Sequence, residues 1–319
     1  MIFDLPETNT QQIAKTLVRI RDTGNQNTTS RVLTLIVIAQ ASDDIDAIIT
    51  ATNDASREHP SRVIVLVVDD TEAETRLDAQ VRIGGDAGAS EVVLMKLRGE
   101  VGKHLVHVVT PLLLPDTPIV AWWPYSAPVN PGQDPLGKIA HRRITDSQYD
   151  PPVDALYNRR NHYTPGDSDF AWARLTPLRG ILASTLDQPP HEMVQEAKVY
   201  GHHDSPSVDL AAGWLTDRLG VTVTRVNADT TEFSYDSAGR AHVPISKVEL
   251  VRPSGTVVIE TVADPEVLRV SLPDRAPALV AVSLRTEADC LAEELRHLDP
   301  DIAYARALRG LSRVEYLTH

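Results

Sequence analysis

Residues 31–70 read RVLTLIVIAQASDDIDAIITATNDASREHPSRVIVLVVDD. The stretch opens on a near-continuous β-branched run, Arg31 to Gln40, and closes on a second, Arg62 to Asp70. Runs that are apolar at nearly every position, not at every second one, belong to strands buried on both faces. Between them Ile45, Ile48 and Ile49 share one side of a helix that Ser42 is placed to cap. His59-Pro60 ends it, because the residue before a proline is pushed out of the α region. Strand, helix and strand at this spacing predict a βαβ unit with a right-handed crossover, and so a layered α/β first half.

Upstream, Thr8 with Gln11 fits a capping box, and Ile13, Leu17 and Ile20 follow at helical spacing, which predicts a helix over 9–23. Downstream, Leu77–Ile83 and Ser90–Leu97 read as strands joined by Gly84-Gly85-Asp86-Ala87-Gly88. A phosphate-binding loop would need a helix after those glycines, and a strand follows instead, so a hairpin or bulged turn is expected. Glu100 to Leu114 reads as a helix that Pro111 kinks or ends, and Thr117 to Trp123 as a returning strand. The first-half sheet should therefore be mixed.

From Ser126 to Asp169 the chain is rich in Pro, Asp, Asn and Gly, apart from Leu136 to Thr145. A domain boundary near Pro165 is expected, giving an N-terminal α/β domain at 1–165 and a C-terminal domain at 166–319. The second half opens with a helix over Phe170–Leu186 that contains Pro177, then a strand at Glu196–His202 and a helix at Val208–Leu219 closed by Gly220. Short alternating runs, VTVTRV, TEFSYD, KVELVR, TVVIET and VLRVSL, follow with turns at Ala238-Gly239 and Ser254-Gly255. They predict an antiparallel sheet, closed by helices at Glu287–Leu298 and Asp301–Arg313. The fold class expected is α+β.

The chain has 319 residues and a formal net charge of −13. That balance argues against nucleic acid and against anionic membrane surfaces, both of which need clustered Lys and Arg. No run approaches 18 apolar residues, and the start MIFDLPETNT lacks a basic n-region, so neither a span nor a signal peptide is expected. Cys290 is the only cysteine, set among Ala288, Leu291 and Leu295, and reads as a buried, inert thiol in a cytoplasmic protein.

Catalytic signatures are sparse. The sequence carries no Walker lysine, no Rossmann fingerprint and no Gly-x-Ser-x-Gly elbow. His104 with His107, and His202-His203-Asp204, lack sequence-local third and fourth ligands for zinc. Glu293-Glu294 reads as a solvated helix face. No cofactor and no metal are expected.

The tryptophans and arginines carry more information. Trp122 and Trp123 are adjacent, so on a strand they point to opposite faces, and one of them needs a second covering layer or a partner. Arg142 and Arg143 stand just before Asp146, and Arg174 and Arg179 follow Trp172. Arg beside Trp in an acidic protein is the composition of an interface hot spot, while an internal Arg–Asp clamp, for example through Asp146, is the plainer alternative. Trp214, at helical spacing, reads as core.

Five segments resemble a known family: REHPSRV (Arg57–Val63), LLLPDTPIVAWWP (Leu112–Pro124), HRRITDS (His141–Ser147), FAWARLTPLRGILA (Phe170–Ala183) and AAGWLTDRLG (Ala211–Gly220). In this order they are similar to the actinobacterial form of OpcA, the assembly and activator proteins of glucose-6-phosphate dehydrogenase. The resemblance implies a protein that binds and activates that enzyme without being one. The candidate partner contacts are then Trp122, Trp123, Arg142, Arg143, Asp146, Trp172, Arg174 and Arg179. The alternative is a sugar-phosphate- or nucleotide-binding enzyme or sensor that uses the arginines as its anion site.

Overall fold

The structure, a computed structural model, describes residues 1–23, 31–83, 91–151 and 155–317. The glycine-rich turn at 84–88 lies outside the described residues. The chain divides into two compact units, Met1–Asp146 with Gly166–Ser168 and Leu291–Pro300, and Ser147–Pro165 with Asp169–Cys290 and Asp301–His319. The division is not a single cut: two later segments rejoin the first unit.

The first unit runs β1 (Ile2–Leu5), α1 (Thr10–Thr23), β2 (Leu33–Gln40), α2 (Ile45–Ala55), β3 (Ser61–Val68), β4 (Arg76–Ile83), β5 (Glu91–Arg98), α3 (Leu105–Val109), β6 (Ile119–Trp122), α4 (Pro135–Ile139) and β7 (Arg142–Thr145). After α5 (Ala155–Asn161) of the second unit comes β8 (Asp167–Asp169). Among the described residues these strands form one sheet in the order β1-β4-β5-β3-β2-β6-β7-β8. Pairing is parallel from β5 through β3, β2 and β6 to β7, and antiparallel at β1–β4 and β4–β5. The βαβ unit and the mixed sheet are present as expected.

β2 and β3 are buried at every position but the last, which requires cover on both faces. One face packs Ile36, Ile64, Val93 and Ala121 with Ile13 and Leu17 of α1, Val108 of α3 and Leu136 of α4. At the start of β5 the buried Glu91 is held by Arg62 of β3 and by Arg31, the latter at 2.8 Å. Two caps differ from expectation. Asn9 Oδ1, not Thr8, accepts from the Gln12 amide at 3.0 Å, and Asp44, not Ser42, accepts from Ala47. Each cap sits one residue before its helix and three before the amide it holds, the spacing a side-chain cap needs. The expected helix over 100–114 is three pieces: a 3-10 turn at Gly99–Lys103, α3, and a 3-10 turn at Thr110–Leu112 that carries Pro111. Proline lacks the amide that would continue the α ladder.

The second unit continues with α6 (Phe170–Ala173), α7 (Thr176–Leu186), β9 (Glu196–Gly201), α8 (Pro206–Leu219), β10 (Val223–Asn227), β11 (Ser234–Tyr235), β12 (Arg240–His242), β13 (Ile245–Arg252), β14 (Gly255–Thr261), β15 (Val267–Ser271), β16 (Ala278–Ala281) and β17 (Arg285–Thr286). The chain ends with α9 (Glu287–Arg296), α10 (Ile302–Gly310) and β18 (Val314–Leu317). Pro177 opens α7 instead of lying inside one long helix, because a proline is tolerated in a first turn. The main sheet has the order β16-β15-β14-β13-β9-β10-β18, with a small sheet β11-β12-β17 beside it.

The main sheet is antiparallel from β16 to β9, as expected of KVELVR, TVVIET and VLRVSL, whereas TEFSYD lies in the small sheet instead. It turns parallel at β9–β10 and β10–β18, where α8 and α10 supply crossover connections that short alternating runs do not reveal. Arg225, buried on β10, donates to Asp209 of α8 at 3.0 Å and to the Gly201 carbonyl at 3.0 Å. Burial pushes the Asp209 carboxyl up to about 6, against the pull of Arg225. Among the described residues no helix is long and apolar enough to cross a membrane.

α8 and α10 pack through glycines. A Cβ on Gly310 would stand 2.0 Å from the Gly213 carbonyl oxygen, and one on Gly213 would stand 2.4 Å from that of Ala307. Gly310→Ala should therefore force the helices apart, at about 1–3 kcal/mol. Gly180→Ala, on α7 with nothing within 4 Å of its new Cβ, should be neutral or stabilising by up to about 1 kcal/mol. Thermal unfolding of the two variants checks this, and equal melting temperatures would contradict it.

Candidate functional site

In the first unit the paired tryptophans and paired arginines lie on neighbouring strands. β6 and β7 pair in parallel with Val120 opposite Arg142, Ala121 opposite Arg143 and Trp122 opposite Ile144, and the Trp123 amide donates to the Ile144 carbonyl at 3.0 Å. Alternation sends one large side chain of each pair to each face. Trp123 joins the core with Val109, Leu112 and Ala140, while Trp122 lies on the opposite face with 0% exposure. The chain itself thus covers both tryptophans.

Arg142 and Arg143 are 4% and 5% exposed. Arg142 forms an ion pair with Glu294 of α9, with its Nε at 3.1 Å, and donates from Nη1 to the Asp299 carbonyl at 2.9 Å. Arg143 forms an ion pair with Asp167 of β8 and donates to the carbonyls of Ala140 at 3.0 Å and Gly137 at 3.3 Å. Glu294 is 3% exposed, which corrects the expectation of a solvated Glu293-Glu294 face. Burial raises the Glu294 carboxyl above its ordinary value, and Arg142 pulls it back.

Two glycines make room for Arg143. A Cβ on Gly137 would meet the Pro131 carbonyl oxygen at 1.8 Å and Arg143 Cδ at 3.2 Å. One on Gly166, whose φ is +97°, would meet the His141 carbonyl oxygen at 2.5 Å and Arg143 Nη2 at 2.9 Å. Asp146, 1% exposed, ends this part of the unit just after Thr145, whose hydroxyl donates to the Ser168 carbonyl at 3.2 Å.

In the second unit Trp172 Nε1 donates to Asp301 at 2.8 Å, and its ring lies 6.1 Å from that of Tyr304. The Arg179 guanidinium stacks 3.7 Å over Trp172, a cation–π contact. Arg174 instead stacks over Phe233 at 4.8 Å and donates to the Tyr235 hydroxyl at 2.9 Å, which in turn donates to Glu287. Asp169 caps α6 and holds Ser147 through its amide and its hydroxyl, the latter at 2.8 Å. Of the eight residues singled out from sequence, all but Arg179 are buried, and Arg179 is partly so.

The structure therefore brings Trp172 and Arg179 together, seats Arg174 in a separate aromatic cluster, and splits Arg142 and Arg143 between two faces of a sheet. Sequence reading missed Asp167, Glu294 and Tyr304. Asp169 and Asp301 carry the recognisable signal of an Asp just before a helical run.

Other concave features are modest. The second unit holds a cavity of about 60 Å³ walled by Leu178, Ile259 and Leu268, with Arg174 and His242 at its edge. Burial lowers the His242 pKa from its ordinary value. Two open grooves of about 860 and 750 Å³ run along the first unit. Among the described residues no group of three or more His, Cys, Asp or Glu is placed to hold a metal ion. Cys290 is buried.

Removing one partner of a buried ion pair leaves an uncompensated charge, whereas replacing both by apolar groups does not. Arg142→Met should cost about 3–5 kcal/mol in denaturant unfolding, and Arg142→Met with Glu294→Leu should recover most of it. Arg296→Ala breaks only a surface pair with Glu58, both partners more than half exposed, and should change stability by less than about 0.5 kcal/mol. A double variant no more stable than Arg142→Met would show that the pair does not act as a unit.

Two family profiles match the chain. One describes the N-terminal domain of a glucose-6-phosphate dehydrogenase subunit, and it covers residues 52–161. The other describes the C-terminal domain of the same protein and covers residues 165–308. No curated protein matches. Among solved structures the chain is similar to biliverdin reductase bound to biliverdin and NADP+ from Synechocystis sp. PCC 6803, with a TM-score of 0.41 and 10% identity over 88% of this chain and 96% of that one. It is also similar to glucose-6-phosphate 1-dehydrogenase from Mycobacterium avium, with a TM-score of 0.41 and 11% identity over 90% and 94%. Those two likenesses are too low to carry an argument. The two profiles follow one another over most of the chain, from 52 to 308, and the chain belongs to the OpcA family of glucose-6-phosphate dehydrogenase assembly proteins.

Proposed function

We propose that this chain is a non-enzymatic, cytoplasmic partner of glucose-6-phosphate dehydrogenase that binds the enzyme, favours its active oligomer and so supports the oxidative pentose phosphate pathway. Family membership over both halves of the chain is the observation that carries the reading. The mechanism is a population shift. A partner that binds the active assembly more tightly than the inactive one moves the equilibrium by the ratio of the two affinities, and a tenfold shift needs about 1.4 kcal/mol.

The commitments of the arginines weigh against the sugar-phosphate or nucleotide reading. Arg142 and Arg143 are paired with buried carboxylates, and Arg174 and Arg179 are stacked on aromatic rings. An anion would have to displace those partners. The burial of seven of the eight tryptophan, arginine and aspartate residues, with Arg179 partly buried, supports a positioning part for them: on this proposal they hold rigid the strands and helices that carry the contact surfaces.

The test adds the purified chain to its cognate dehydrogenase and records kcat, KM and sedimentation. The expected result is a rise in activity, a larger or more stable oligomer, or both, while the chain alone reduces no NADP with glucose 6-phosphate. Unchanged kinetic constants and unchanged sedimentation with the chain in excess would overturn the proposal.

A further inference from the structure

From β9 through β13 and β14 to β15, the main sheet of the second unit buries one face and leaves the other partly exposed. Val199, Val248, Leu250, Ile259 and Val270 point into the core that α8 and α10 complete. The residues between them point the other way and stay partly or fully exposed. Register aligns these into rows across the strands. One row passes from Leu317 through Val226, which is buried, and Tyr200 to Lys247, Glu260, Arg269 and Leu279. The next contains Lys198, Glu249 and Val258. With strands about 4.8 Å apart, the first row is about 29 Å long.

The chemistry of this face is unlike that of the chain as a whole. The chain carries a net charge of −13, so copies of it repel. On the open face, opposite charges alternate and are tied laterally. Lys247 pairs with Glu249 at 2.7 Å and lies 4.1 Å over the Tyr200 ring, Arg269 pairs with Glu260 at 3.0 Å, and the Tyr200 hydroxyl donates to Glu249 at 2.9 Å. Charges already paired lose less on losing water than lone ones do. The row ends on apolar side chains, with Leu279 68% and Leu317 50% exposed.

We infer that this face docks a second copy of the chain, sheet against sheet, about a two-fold axis running across the strands between the two rows. An interface on such an axis is isologous, so the face must be its own complement. The axis sets Lys247 of each copy against Glu249 of the other, and Glu260 against the neutral Val258. A like-charged copy has in this checkerboard a surface that does not repel it. The footprint sits at the low end for a specific dimer, about 600 Å² per partner, so the dimer is reversible.

Sedimentation velocity of the purified full chain over a hundredfold range of concentration tests this. The expected result is a monomer of 35.0 kDa in exchange with a dimer of twice that mass. Lys247→Glu sets four carboxylates together across the axis and should weaken the dimer at least tenfold. Lys247→Glu with Glu249→Lys rebuilds the alternation and should restore it. Val258→Asp, facing Glu260 of the other copy, should weaken it as well and serves if the Lys247 variant does not fold, with circular dichroism and melting as the check. A wild-type chain that stays monomeric throughout overturns the inference. So does a dimer indifferent to these changes. If the chain is monomeric and the variants instead lose binding to the dehydrogenase, the face belongs to that enzyme, and the second copy is excluded.

Discussion

A buried guanidinium cannot be left without a partner, and the first unit is arranged around two of them. Arg142 and Arg143 are adjacent on a four-residue strand, so the pleat sends them to opposite faces. Each then needs its own carboxylate, because an unpaired buried charge costs several kcal/mol. Asp167 comes from 24 residues downstream and Glu294 from 152. These acids lie in the two short segments, 166–168 and 291–300, that leave the rest of the second half to rejoin the first unit. The two carboxylates that this dipeptide requires thus come from the two segments that make the unit discontinuous.

The tryptophan pair on β6 repeats the device in apolar form. Trp122 and Trp123 fill the two faces of the sheet next to the arginine pair, and Gly137 and Gly166 hold open the space that the Arg143 side chain occupies. Bulk and charge are distributed evenly over the two faces, so neither can shift without disturbing the other. On the proposed function, in which the chain holds an enzyme in one assembly, such stiffness is a gain. Binding energy then goes into discriminating between states of the partner and not into ordering the activator.

Much of the frame could be read in the sequence, since it rests on local pattern. The uniform β2 and β3 runs, the helix between them and the alternating strands from 245 to 271 each announce themselves within ten residues. Very short strands do not. β1, β7, β8 and β18 have three or four residues, too few for a period to emerge, and β7, reading RRIT, resembles a solvated surface. The site was legible as a list of residues but not as an arrangement. Glu294 follows another glutamate on an amphipathic helix, and nothing near it tells that its carboxylate faces an arginine half a chain away. The parallel pairing of β10 with β18 is hidden for the same reason: it is decided by where α10 packs, through Gly213 and Gly310, and not by the strands themselves.

On the proposed function the tryptophan–arginine strands are the scaffold of an activator whose partner binds on surfaces outside them. Amide hydrogen exchange of the chain, alone and with saturating glucose-6-phosphate dehydrogenase, addresses it most directly. Residues 119–123 and 142–145 should exchange among the slowest in the free chain and stay unchanged on binding, while new protection appears on exposed elements elsewhere. Fast exchange at those two strands in the free chain, followed by strong protection in the complex, would contradict it.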